Sequence, residues 1–224
     1  MTQLVLRDPR GASLKARHSS KSNEHYSPPL IVEPARATLG HIDLDPASCP
    51  LANSVVRAER IYTEADHGLE LPWRGRTFLN PPGGKEGNDS VQATWWFRLA
   101  EQWMTGAVEA AVFVGFSVEV LQVTQCDRPR GLPVPAELPH CIPARRVAYL
   151  REVDGALVPG TSPPHSSVIA YLPPLASAEA WACGVARFRQ HFGPLGALCG
   201  ALAGEIWCPK SETPAGESAS VSEE

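Results

Sequence analysis

Apolar and polar positions along the chain change period several times. Val91–Gly106, VQATWWFRLAEQWMTG, has the clearest helical spacing: Trp95, Trp96, Leu99 and Trp103 fall near one face, and Gly106 is a natural stop. Val108–Phe116, VEAAVFVGF, is a nearly unbroken apolar run, the pattern of a strand buried on both faces. Shorter runs fill in the rest. A helix is expected from about Pro29, with Pro34 as a flaw inside it and Gly40 as its end. His41–Asp45 alternates apolar and acidic residues before Pro46, like a strand. Leu51–Arg60 has helical spacing, Ile61–Thr63 and Arg76–Asn80 read as strands, and Val118–Val123 as a helix. Asp127–Pro139 is a loop rich in Pro and Arg. Beyond it, Arg145–Leu150 and Ser166–Pro173 read as late strands around a hairpin turn at Asp154-Gly155, and Ala176–Phe192 as a last helix.

Strands alternate with helices through residues 29–126. That order predicts an α/β fold, Rossmann-like, with a mostly parallel sheet in a three-layer sandwich. A chain of 224 residues suits one domain, expected at 24–205. Residues 1–23 read as a disordered basic arm with Arg7, Arg10, Lys15, Arg17 and Lys21, and 206–224 as a disordered acidic tail with Glu212, Glu217, Glu223 and Glu224. The overall charge of −4 marks no strong polyanion binder, although a basic arm can touch phosphates. The six cysteines include no C-x-x-C pair and no zinc spacing, so free thiols in a reducing cytoplasm and no metal are expected. Nothing resembles a signal peptide, and the apolar run at Ala110–Val118 is too short to cross a bilayer.

Two polar clusters fall where strands are expected to end: DLDP at Asp43–Pro46 and NPPGG at Asn80–Gly84. Ligands of open α/β sheets gather at the carboxyl ends of strands. The second cluster suits a particular task. An exocyclic amino nitrogen such as adenine N6 is a poor nucleophile, because its lone pair is delocalised into the ring. Two acceptors that bond both its N–H groups favour a tetrahedral nitrogen with the lone pair directed outward. The Asn80 side-chain oxygen can be one acceptor and the Pro81 carbonyl the other, with Pro81 and Pro82 stiffening the backbone. No strong base is required when the leaving group is positively charged, so positioning and electrostatics carry the step.

FLNPP resembles the Asn/Asp/Ser-Pro-Pro-aromatic motif of S-adenosylmethionine-dependent amino methyltransferases. The wider set of YSPP, ARATLGHIDLDPAS, YT, DHGL and GRTFLNPPGGK resembles the phage-type DNA N6-adenine methyltransferases. The resemblance runs from Glu24 to Trp103 and continues more weakly to Leu172. It implies a Rossmann-like methyltransferase fold, S-adenosylmethionine as cofactor and adenine in DNA as acceptor. Asn80, Pro81 and Pro82 fall on the catalytic motif. Asp43 and Asp45 fall in an element that holds the cofactor at its ribose or its methionine end, the two being open. Asp66 is placed to meet the cofactor adenine, and Tyr26 and Pro28 lie in the element that closes over the cofactor. Gly83, Gly84, Lys85 and Trp95 are the expected substrate contacts.

Two departures accompany the resemblance. No G-x-G loop precedes DLDP, so the cofactor is expected to be held without the usual glycine loop, or with Tyr26–Pro29 in its place. Gly83 stands where most amino methyltransferases carry an aromatic ring that stacks on the flipped base. Stacking is then expected to come from elsewhere, with Trp95, Trp96 or Phe97 as candidates, or to be weaker, although tryptophans at helical spacing are more often core. Lys85, Arg74, Arg76 and Arg145-Arg146 are candidate phosphate contacts. Two other readings stay open: a methyltransferase acting on another amino or amide nitrogen (cytosine N4, an RNA adenine, a protein glutamine), and a non-catalytic nucleic-acid-binding relic of the fold.

Overall fold

Helix α1, Pro29–Leu39, begins where proline suits a first helical turn and ends where Gly40 turns to φ 88°. Its inner stripe of Ile31, Val32, Ala35 and Leu39 is buried, and Pro34 is accommodated within it. This computed structural model describes residues 25–126, 128–160 and 165–201. The expected basic arm and acidic tail lie outside the described residues, as do Glu24 and residues 202–205 of the expected domain. After α1 come β1 (Leu44–Asp45), α2 (Pro50–Val56), β2 (Arg60–Ile61), β3 (Gly75–Leu79), β4 (Lys85–Glu86), β5 (Asp89–Ser90), α3 (Val91–Met104) and β6 (Val108–Gly115). The second half holds α4 (Val120–Cys126), β7 (His140–Pro143), β8 (Leu150–Val153), β9 (Ala156–Pro159), β10 (Val168–Leu172), α5 (Ala178–Phe192) and β11 (Gly196–Cys199).

The main sheet has the order β2-β1-β3-β6-β10-β7-β11. Strands β2, β1, β3 and β6 are parallel. β10 runs against both β6 and β7, and β11 runs against β7. β7 therefore points the same way as β6, and the sheet is mixed but mostly parallel. Ala111 and Phe113 of β6 join α3 in one core, while Val112 and Val114 join α1 and the Phe188 and Phe192 end of α5 in the other. This α/β architecture, with helices on both faces, is compatible with a Rossmann-like fold.

Several expected elements shift. The His41–Asp45 strand shrinks to Leu44–Asp45. The Leu51–Arg60 helix stops at Val56, because Arg57 turns left-handed at φ 54° and the Asn53 side chain clasps both the N–H and the carbonyl of Ala58. The Val118–Val123 helix begins at Val120 and runs on to Cys126. Arg145–Leu150 is not a strand until Leu150. Val147 and Tyr149 are buried there through the alternation that suggested one, yet the segment has no ladder partner until the bridge of Leu150 to Tyr26. The Asp154-Gly155 turn is present, at φ 51° and 79°, but it joins β8 to β9, while β10 lies in the main sheet.

Candidate functional site

The chain places β2 on one side of β1 and then crosses back to lay β3 on the other. The carboxyl ends of β1 and β3 thus flank a point where strand order reverses, the position at which open α/β sheets form a crevice for ligands. Asp45 is the last residue of β1, and Asn80 directly follows β3. Both polar clusters therefore reach one edge of the sheet.

Asn80 is held by a bond that crosses 55 positions of sequence. Its Nδ2 donates to the His25 carbonyl at 2.9 Å. His25 precedes Tyr26, whose N–H and carbonyl both pair with Leu150, at 2.9 and 2.8 Å. The Tyr26–Pro29 segment is thereby fastened beside the Asn-Pro-Pro turn. An amide has one donor side and one acceptor side. With Nδ2 committed to His25, the Oδ1 edge is the one presented elsewhere. Pro81 is buried behind it and Pro82 half-buried.

Two buried polar groups lie near this edge, one with only neutral donors beside it and one with no partner among the described residues. Asp45 is 2% exposed, and burial pushes its carboxyl up to about 7, against the pull of the Ser48 hydroxyl and the Ala47 N–H. Ser27 is 4% exposed, and its hydroxyl has no hydrogen-bond partner among the described residues. A buried carboxyl and an orphaned hydroxyl suit a polar ligand with a positive charge.

Asp43 goes elsewhere. It lies beside the start of β3, where Oδ2 accepts the Arg76 N–H at 2.6 Å and Oδ1 sits 2.7 Å from His41 Nε2. Its carboxylate is pressed against Gly75, at φ 76°, where any side chain would collide with it. Asp43 therefore clamps the amino end of β3, and the structure does not bring it to Asp45 and Asn80. His41, Asp43 and Glu59 come within 4.8 Å of one another there, but Arg76 Nη1 lies 2.8 Å from His41 Nδ1 and opposes a cation. Arg76 is consequently far from Asn80 along β3, not a flank of the motif. A cavity of about 530 Å³, lined by Arg76, Glu109, Tyr171 and Arg187 among others, opens at this same amino end, away from the Asn-Pro-Pro turn.

Asp66 lies just beyond β2, exposed, in a short 3-10 turn. The Thr63 hydroxyl, 2.6 Å from Oδ2, and the Thr63 N–H, at 2.7 Å, hold its carboxyl below the usual carboxylate range. Lys85 opens the small β4–β5 hairpin, which projects from the Asn-Pro-Pro turn with Gly84, Lys85 and Glu86 exposed.

Trp95, expected as a substrate contact, lies in the core. It is 4% exposed and stacks on Trp73 with centroids 5.8 Å apart. Trp96 is fully buried, edge-on to Phe113, with its indole N–H donating to the Pro133 carbonyl at 2.8 Å. Phe97 is buried as well. All three candidates for the stacking ring belong to the core, because α3 needs that whole stripe to cover β6. Two neighbours of the Asn-Pro-Pro turn had no sequence signal: the His25 carbonyl, which any residue would carry, and Phe116, just past β6, whose ring lies against Gly83.

Comparison with known proteins adds no relative: no family model matches the chain, nor does any curated protein or solved structure. No described helix is long and apolar enough to cross a membrane.

Proposed function

We propose that the chain transfers a methyl group from S-adenosylmethionine to the N6 amino group of adenine in DNA. The observation that carries this reading is the anchored amide of Asn80 at the switch point of the sheet. Unlike the Asn53 amide, whose two sides are both spent on Ala58, the Asn80 amide has only its donor side tied down, which leaves Oδ1 as the edge available to a ligand. The resemblance of the Glu24–Trp103 stretch points the same way, and the bond from Asn80 to His25, the residue before YSPP, gives two of its motifs a reason to occur together.

The cofactor, when bound, supplies a methyl group made electrophilic by a positively charged sulfur. Asp45 and Ser27 are the residues that would meet its polar, cationic portion, since Asp45 is a buried carboxyl with only neutral donors beside it and the buried Ser27 hydroxyl has no hydrogen-bond partner among the described residues. Asp66 can take part beside β2 with the oxygen that Thr63 does not use. Asn80 Oδ1 and the Pro81 carbonyl accept the two N–H bonds of the target amine and draw its lone pair out of conjugation. Once the nitrogen has taken the methyl group it sheds one proton to water, so no side chain serves as a strong base. Lys85, on the exposed hairpin, meets the DNA phosphates.

Asn80→Ala tests the reading directly. Transfer of labelled methyl to unmodified plasmid DNA should fall by at least about a hundredfold, the usual cost of removing a preorganised polar group from a reacting centre. Cofactor affinity by calorimetry should stay within about twofold. Undiminished transfer would remove Asn80 from its role. The acceptor trap alone serves any exocyclic amine, so nucleoside analysis of the product DNA assigns the base.

A further inference from the structure

The structure assigns to Phe116 the stacking ring that position 83 lacks, so that the surface receiving the target base is delivered by β6 and not by the Asn-Pro-Pro turn. This rests on the methyl-transfer reading above and names a substrate contact within it.

Gly83 is exposed, yet a Cβ on it would lie 2.6 Å from Phe116 Cε1 and 3.0 Å from Cζ. The volume next to the turn is already occupied by a phenyl ring. Glycine at 83 is therefore the residue that lets the ring in. The sheet register brings the two together. Leu79 of β3 pairs with Phe113 of β6, and Pro82 and Phe116 each lie three residues further along their parallel chains. Phe116 thus arrives beside the turn at the same edge of the sheet as Asn80.

The ring differs from the tryptophans of α3 in one decisive respect: it is only half-buried. Its inner side joins the core beneath α1, and His165 meets it edge-on with centroids 5.6 Å apart. A phenyl ring steadied on two sides and half-exposed beside the Asn-Pro-Pro turn offers a π surface to a flat heteroaromatic amine. The same ring can be read as an apolar plug, and the two roles make different demands. A plug needs volume, which leucine supplies. A stacking platform needs a π face, which leucine lacks.

The test uses the full-length protein, S-adenosylmethionine and unmodified plasmid DNA. Phe116→Leu should lower kcat/KM for DNA by about 5- to 150-fold, the range found when base–aromatic stacking is removed. Cofactor affinity and melting temperature should hold, and Phe116→Trp should retain most of the rate. Gly83→Phe should be inactive, because two rings compete for one space. Combined with Phe116→Ala, it should recover most of what Phe116→Ala loses, the ring having moved from one backbone position to the other. Wild-type rates in Phe116→Leu, or a double variant no better than Phe116→Ala, would overturn the assignment and leave the methyl-transfer reading standing. A wild-type chain that binds the cofactor but moves no methyl group to DNA overturns both.

Discussion

Asp45 shows how one buried side chain couples stability to ligand binding. Its folded pKa of about 7 lies above the ordinary carboxylate value of about 4, so the folded chain holds this proton more tightly than the unfolded one. The stabilisation is complete below about pH 4 and is lost as pH rises through 7, up to about 4 kcal/mol over the whole titration. Denaturant unfolding of the ligand-free protein between pH 5 and 8 should show the fall, and Asp45→Asn should flatten it. The groups that oppose burial here are a hydroxyl and an amide N–H, neither a cation. If Asp45 is the counter-charge to the cofactor, affinity should climb by up to about tenfold per unit as pH increases towards 7 and level off above it, and this dependence should vanish in Asp45→Asn. A pH-independent affinity in the native protein would move the counter-charge to another residue. DLDP was readable as a cluster, but the division of labour within it was not. Alternation shows that Asp43 and Asp45 share a face, and only the register with β3 shows that Asp43 is beside Arg76 and away from the crevice.

At the level of elements, α1, α3, β3 and β6 were legible because their apolar spacing is enforced by what they cover. Trp96, Leu99 and Trp103 are fully buried for the reason their spacing announced. Strands β7, HCIP, and β11, GALC, carry a proline or a glycine in four residues and are recognised by their ladder bonds rather than by composition. The Arg145–Leu150 segment erred the other way, since alternation records burial and not pairing. Reassigning Trp95 from substrate contact to core changes what its loss should do. Trp95→Ala should destabilise the fold by about 3–5 kcal/mol through the lost contact with Trp73. DNA affinity of the remaining folded protein, measured well below its melting temperature, should be unchanged. A selective loss of DNA binding with normal stability would restore Trp95 to the interface.

Across the whole molecule, the proposed site draws on distant parts of the chain: the segment before α1, which pairs with β8, and the end of β1, the turn after β3 and the residue after β6 in the main sheet. Sequence motifs mark three of these. The fourth, Phe116, is separated from Gly83 by all of α3, and only the parallel pairing of β3 with β6 makes them neighbours. A ligand that fills such a composite site stabilises the fold as a unit. S-adenosylmethionine at a hundred times its Kd should raise the melting temperature by about 5–11 °C, and the absence of any shift would count against the cofactor assignment. The bond from Asn80 to His25 sets a different kind of boundary. Because the acceptor is a main-chain carbonyl, replacing the His25 side chain leaves it in place, and a systematic alanine scan would pass over it. A chain trimmed to begin at Ser27 would keep Asn-Pro-Pro, DLDP and every buried strand, yet its amide would no longer know which way to face.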